Sequence, residues 1–307
     1  KATATSLAPQ HHSMAFLSQS TSLRLALIIL NTEHRSSKGG ARDLFSHLWD
    51  EASVRVCADG AANRLHDALS VERRAALRAA CIPPAERRSN QLPDVITGDL
   101  DSIRPEVLEF YEQIGVPVVR EPEQDSHDFE KCLRWLQAKH EAAAHEEAYS
   151  VVAFGAFGGR LDQQMANLNM LFRPCYNACF ASFVLLDQHS LALLLSAGAH
   201  TIAPNLEVED GTCGLIPLGG ACEHVTTQGL GWNLDGDALG FGSVASSADT
   251  YAGYLPAASV GYVRATRTSL PRWVRTGRTG RLAPRAPRAV RTGCAYQPRA
   301  CRAYRVA

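Results

Sequence analysis

An open α/β sheet followed by an all-β sandwich is the fold class that the sequence predicts. Three observations lead to it. Short apolar runs alternate with helical segments over residues 23–173. The first of these runs is apolar throughout, as expected of a strand buried on both faces of a parallel sheet. From residue 181 onward, short runs separated by Gly, Asp or Asn take over, which reads as a second, all-β domain. The expected division is a leader over residues 1–22, an α/β catalytic domain over 23–175, a β-sandwich domain over 180–254 and a tail over 255–307. Leader and tail are expected to be disordered.

The elements follow in order. Residues 25–30 (LALIIL) form the first strand, a polar loop occupies 31–40, and a helix covers 41–51. A second strand over 54–58 stops at Asp59-Gly60, and 61–69 is helical. A polar segment with Pro83 and Pro84 leads to a strand over 94–97, which ends in a turn bearing Asp99 and Asp101. Pro105 opens a helix over 105–114, and 116–119 is a strand. Ser126 is the expected N-cap of a helix over 128–140, which places Phe129, Cys132, Leu133 and Leu136 on one face. A strand over 150–154, a glycine-rich turn over 155–159 and a helix over 161–172 complete the α/β part. Short strands are expected at 183–187, 192–195, 213–217, 223–227 and 239–241. Beyond residue 254, repeated Arg, Ala, Pro, Gly and Thr give neither period.

Composition narrows the function classes. Hydrophobic residues make up 46% and charged residues 20%, the balance of a soluble globular protein. The formal net charge of zero hides an asymmetry: residues 255–307 carry 12 arginines and no acid. The remaining body is therefore acidic, which argues against a nucleic-acid partner. The longest apolar block near the start, residues 23–30, is far too short to span a membrane. Nine cysteines with no C-x-x-C pair read as scattered thiols of a reducing cytoplasm.

Three strand ends carry polar, glycine-containing turns: Asp59-Gly60, GDLDS at 98–102, and GGRLD at 158–162. Ligands of open α/β sheets bind beyond the carboxyl ends of the strands, so these turns converge on one crevice. Asp99 and Asp101 suit Mg2+, which takes one or two carboxylates and completes its shell with phosphate oxygens and water. The same residues also suit an Asx-turn or a helix cap. Asp128 and Lys131 share a helical face one turn apart, either as a third carboxylate with a phosphate-facing lysine or as a surface ion pair. Arg160 beside a helix start makes an anion site, and Asp162 there is a further carboxylate or an N-cap. No G-x-x-x-x-G-K-[ST] is present, which excludes a P-loop. Trp232 lies among glycines, as a stacking platform for a flat cation or as core.

Taken together these motifs resemble the thiamine pyrophosphokinase (thiamine diphosphokinase) family of the eukaryotic type. The matching stretches are ADGAANR at 58–64, GDLDS at 98–102, QDSHDFEK at 124–131, GRLDQ at 159–163, and CGLIPLG at 213–219 through VTTQGLGWNL at 225–234. They come in family order. The resemblance implies transfer of the β,γ-diphosphate of ATP to thiamine, giving thiamine diphosphate and AMP, by a homodimer with its site between subunits. Carried over, Asp99, Asp101 and Asp128 hold Mg2+ and are the catalytic carboxylates. Asp59, Asn63, Lys131, Arg160 and Asp162 shape the ATP pocket. Gln124, Ser246 and the partner-facing Trp232 bind thiamine. The chain departs from the family pattern at Ala61, Ala248 and Asp249, and beyond Gly253 the arginine tail stands where the family has a closing strand. A sandwich without that strand is expected to expose an edge. Two alternatives stay open from the residues: a D-x-D glycosyltransferase using a nucleotide sugar, and a paralogue inactivated by its altered C-terminus.

Overall fold

The computed structural model describes residues 10–19, 21–32, 43–80, 82–143, 147–243, 246–250 and 303–306. The chain starts with β1 (Gln10–Ser13) and a short 3-10 turn at Ala15–Leu17, then enters the sheet with β2 (Leu25–Ile29). Helix α1 (Leu44–Glu51) is capped by Asp43, whose carboxylate accepts the Ser46 N–H at 2.7 Å. Next come β3 (Val54–Ala58), α2 (Ala61–Ala68), α3 (Val71–Ala79), β4 (Val95–Gly98), α4 (Pro105–Gln113), β5 (Val118–Arg120), α5 (Asp128–Ala142), β6 (Ser150–Phe154), α6 (Leu161–Leu171) and α7 (Pro174–Cys179). The β-rich part holds β7 (Ser182–Leu186), β8 (Leu191–Leu195), β9 (His200–Ala203), β10 (Thr212–Ile216), β11 (Cys222–Thr226), β12 (Asp235–Leu239), β13 (Ser246–Thr250) and β14 (Ala303–Val306).

The main sheet runs β13-β10-β14-β8-β7-β6-β2-β3-β4-β5. From β7 to β5 every neighbouring pair is parallel, and β8, β14, β10 and β13 continue the sheet antiparallel. The chain leaves β2 toward β3, β4 and β5, then returns to place β6 on the other side of β2. The crevice at the β2–β6 border is thus a topological switch point, the usual ligand position in such sheets. The central strands β2, β3 and β6 are buried at every residue. That burial requires cover on both faces, and two apolar clusters supply it. One gathers Leu27, Trp49, Leu65 and Phe110, the other Ile28, Phe129, Leu133 and Phe183.

The α/β sheet followed by a β-rich region matches the expected fold class, with four differences. First, β7 and β8 belong to the main sheet rather than to a separate sandwich. Their apolar runs SFVLL and LALLL are what a doubly covered interior strand needs. Second, the leader is structured at residues 10–19. β1 pairs parallel with β9, and Met14, Phe16 and Leu17 are buried in the core. Third, the tail expected to be disordered contributes β14, which lies between β8 and β10 and bonds to both. Pairing there removes two open strand edges at once. Residues 255–302 of that tail lie outside the described residues. Fourth, Ser126 is not the cap of α5: His127 holds that position, and the Ser126 hydroxyl bonds to Glu123 instead. Helix α3 falls in the segment whose sequence shows only polarity; its exposed face carries Glu72, Arg73 and Arg78, and Leu77 is its buried residue.

Candidate functional site

Strands β3 and β4 are parallel neighbours, and each is followed by an aspartate at its carboxyl end: Asp59 directly after β3, Asp99 directly after β4. Ala58 pairs with Thr97, so Asp59 stands level with Gly98, one residue before Asp99, and both carboxylates reach the same rim. Helix α5 packs against β3 and β4 and brings Asp128 to that rim from its first turn. Carboxylate oxygens of Asp59, Asp99 and Asp128 lie within 4.8 Å of one another. Gly98 permits this approach. A Cβ at that position would fall 2.6 Å from the Asp59 Cβ and 3.0 Å from Asp128 Oδ1.

Lys131, one turn along α5, is fully buried and donates to Asp99 Oδ2 at 3.1 Å and Asp128 Oδ1 at 3.2 Å. Burial by itself would lower the lysine pKa, but the bonds and charges of the two aspartates outweigh it and raise it. Asp59 is pushed up to about 6, first by burial and then by the Asp128 and Asp99 charges, against the pull of its backbone hydrogen bonds. Burial also raises Asp128, with Asp99 adding and Lys131 opposing. For Asp99 burial acts upward too, but the Lys131 bond and the Asp101 N–H hold it below the usual carboxylate range. Three carboxylates crowded around one ammonium leave an excess of negative charge, the condition that a bound divalent cation relieves.

The loop after β4 is fastened from α2. Asp59 accepts the backbone N–H groups of Ser102 at 3.1 Å and Ile103 at 2.9 Å. The Asn63 amide bridges Ser102 O at 2.9 Å and the Arg104 N–H at 3.0 Å. Asn63, expected in the nucleotide pocket, therefore spends its amide on shaping this loop. Asp101, expected as a metal carboxylate, is not part of the carboxylate group; Asp59 takes that place. The cause is local: Leu100 adopts φ 65°, which turns the chain so that the Asp101 N–H returns to Asp99 Oδ1. The exposed Asp101 carboxylate accepts the Ser102 hydroxyl at 2.8 Å. The Asx-turn and the acidic cluster thus coexist in one stretch.

Gln124, in the loop between β5 and α5, donates to Asp99 Oδ2 at 3.1 Å, the oxygen that Lys131 also holds. Further along the rim, at the switch point, Thr32 Oγ1 donates to Gly155 O at 2.9 Å and Arg64 Nε donates to Asn31 Oδ1 at 2.8 Å. A cavity of about 480 Å³ opens here, lined by Asn31, Thr32, Arg64, Phe157, Gly159 and Gln163 among others. Arg160 and Asp162 sit at the start of α6 beside it. They pair with each other, Nε to Oδ1 at 3.1 Å, and are largely exposed. Trp232, 71% exposed, lies between β11 and β12, and Ser246 lies in β13 opposite Leu215 of β10. The structure brings Asp59, Asp99, Asp128, Lys131 and Gln124 together and leaves Arg160, Asp162, Trp232 and Ser246 outside that cluster. Asp59 as a cluster member, and Asn31, Thr32 and Arg64 on the rim, were not foreseen. The signal for Asp59 was present, since it follows its strand as Asp99 follows its own.

An open parallel sheet that gathers carboxylates, a buried lysine and a glycine-rich turn at its strand ends is the build of an α/β enzyme with an acidic strand-end site. Residues 45–181 match the family described as Thiamin pyrophosphokinase, catalytic domain, and residues 199–251 match Thiamin pyrophosphokinase, vitamin B1 binding domain. Thiamine pyrophosphokinase 1 of Oryza sativa subsp. japonica is 37% identical over 209 residues, covering 66% of this chain and 73% of its own. Thiamine pyrophosphokinase 1 of Arabidopsis thaliana is 34% identical over 248 residues, covering 78% and 85%. The crystal structure of yeast thiamin pyrophosphokinase shares the fold with a TM-score of 0.66 at 21% identity, covering 85% of this chain and 89% of that one. The chain belongs to the thiamine pyrophosphokinase family.

Proposed function

We propose that this chain is a thiamine diphosphokinase that moves the β,γ-diphosphate of ATP to the hydroxyethyl oxygen of thiamine, giving thiamine diphosphate and AMP. The observation that carries this is the Asp59–Asp99–Asp128–Lys131 cluster at the strand ends of a chain whose two successive segments match the family's two domains. Transfer of this kind depends on positioning and charge neutralisation more than on covalent help from the protein.

The donor set fits Mg2+: hard carboxylate oxygens, a spacing that allows shared coordination, and negative charge in excess of the one lysine. Asp59, Asp99 and Asp128 would hold the ion, with Asp101 close by on the same turn. When bound it supplies neutralisation of phosphate charge. Lys131 keeps Asp99 and Asp128 in place from beneath the rim, and its positive charge lies next to the site where the phosphates would bind. Arg160, with Asp162 beside it, lies at the glycine-rich turn where the cavity can take the rest of the nucleotide. Gln124 borders the acidic cluster on the side away from that cavity and is assigned to thiamine. The thiazolium is a fixed cation, which suits an acidic site and an aromatic face. Trp232 and Ser246 are assigned to thiamine in a homodimer, where the partner's copy of the β-rich part faces this rim. Cytoplasmic residence, in keeping with scattered thiols and no C-x-x-C pair, completes the proposal.

Thermal-shift titration tests the substrate class. Stabilisation by thiamine and by ATP with Mg2+, lost for the nucleotide in Asp99→Asn, supports the assignment. Stabilisation by a nucleotide sugar with no response to thiamine overturns it.

A further inference from the structure

The loop at residues 121–127 carries Gln124 to Asp99, yet little backbone structure holds it. At its start the Glu121 N–H bonds to Gly98 O at 2.7 Å, and at its end α5 begins. Among the described residues no backbone–backbone hydrogen bond fixes residues 122–126. Side chains hold it instead: Gln124 bonds to Asp99, and Arg134 gathers three other residues of the loop. Arg134, on the second turn of α5, reaches back toward the helix start, the direction in which helical side chains lean. Its guanidinium meets Glu123 Oε2 at 2.7 Å, Ser126 Oγ at 2.6 Å and Glu121 Oε2 at 3.1 Å. Ser126 Oγ closes the ring by donating to Glu123 Oε2 at 3.3 Å. All three partners of Arg134 belong to this one loop, and they bracket Gln124 in sequence.

We propose that Arg134 is a positioning residue that fastens residues 121–126 onto α5 and thereby sets the Gln124 amide against Asp99. Arginine suits the task because its planar fork serves several acceptors at once, whereas a lysine is a point charge on a flexible stem. The Arg134 bond holds the Glu123 carboxyl below its ordinary range. Arg134 itself touches none of the clustered carboxylates. Its effect on the reaction runs through Gln124, and this step rests on the assignment of Gln124 to thiamine above.

Two arms test it. In hydrogen exchange, Arg134→Met should speed exchange of the loop's bonded amide, Glu121 N–H on Gly98 O, while the amides inside β4 keep the wild-type rate. Unchanged exchange of that amide overturns the clasp, whatever the activity. In steady-state kinetics, Arg134→Met should raise the thiamine KM about ten-fold, the scale of a small misplacement near a site, with the ATP KM unchanged. Gln124→Ala should do the same, and the double variant should be no worse than Gln124→Ala. Arg134→Lys should recover only part of the loss. Additive losses in the double variant, or an unchanged thiamine KM in Arg134→Met, overturn the link to Gln124. A wild-type protein that turns over no thiamine would count against the function proposed above, and the exchange arm would still decide the clasp.

Discussion

Lys131→Met removes the ammonium between Asp99 and Asp128 and nothing else of the acidic cluster. The lysine side chain is 0% exposed, while its partners are 14% and 30% exposed. Removing one partner of a fully buried ion pair costs about 3–5 kcal/mol, because the other charge stays behind unpaired. Partial exposure of both carboxylates screens them, which places the expected loss at the low end, about 3 kcal/mol. For a domain of this size that lowers the melting temperature by roughly 6–12 °C. The methionine fills most of the lysine's volume, so packing contributes little to the change. Mg2+ should then raise the melting temperature of the variant, since an ion held by the three carboxylates restores the lost positive charge, and at a hundred times its dissociation constant it returns about 2.7 kcal/mol. Differential scanning fluorimetry with and without Mg2+ reads both effects. A variant that melts within about 2 °C of wild type and does not respond to Mg2+ would refute the electrostatic account of the cluster.

Two further predictions concern the N-terminal segment. Phe16 is buried in the main core, and its carbonyl lies 3.0 Å from His47 Nε2. Phe16→Ala should cost about 3–5 kcal/mol in urea unfolding, whereas a leader that merely hangs free would show almost no change. His200 is buried, bonds to Ser196 O through Nε2 at 2.8 Å and meets His12 Nε2 through Nδ1 at 3.0 Å. Burial holds its pKa below the ordinary 6.5, against the Ser196 bond. The unfolded chain therefore takes up a proton below about pH 6.5 that the folded one resists, so stability falls as pH drops through that range. His200→Gln should flatten this dependence between pH 7 and 5, and identical urea midpoints versus pH in both proteins would show that another group is responsible.

Much of the α/β part was legible because its signals are local. The run at β2, the breaks at Asp59-Gly60 and Gly98-Asp99, and the apolar face of α5 each lie within a few residues. The strand-end rule pointed to Asp99, whereas spacing left Asp128 and Lys131 open between a site and a surface ion pair, and only the family resemblance placed them beside it. Other features were hidden because their cause is distant in sequence. QHHS at β1 has no apolar period, and it becomes a strand only through β9, some 190 residues later. The tail strand β14 likewise exists through its neighbours β8 and β10. The place of Asp101 outside the carboxylate group was hidden because it goes with a left-handed Leu100, a conformation that few leucines adopt, and Asp59 joins the group from the end of another strand. By contrast, the place of β7 and β8 in the main sheet was readable. Runs as apolar as SFVLL and LALLL ask for cover on both faces, whereas strands of a half-exposed sandwich alternate.

The central claim is the transfer of an intact diphosphate, and the identity of the products tests it most directly. Purified protein with Mg2+, ATP and thiamine should yield AMP and thiamine diphosphate in equal amounts, resolved by chromatography and phosphorus NMR. ADP with thiamine monophosphate, or ATP turnover that does not depend on thiamine, would contradict the account.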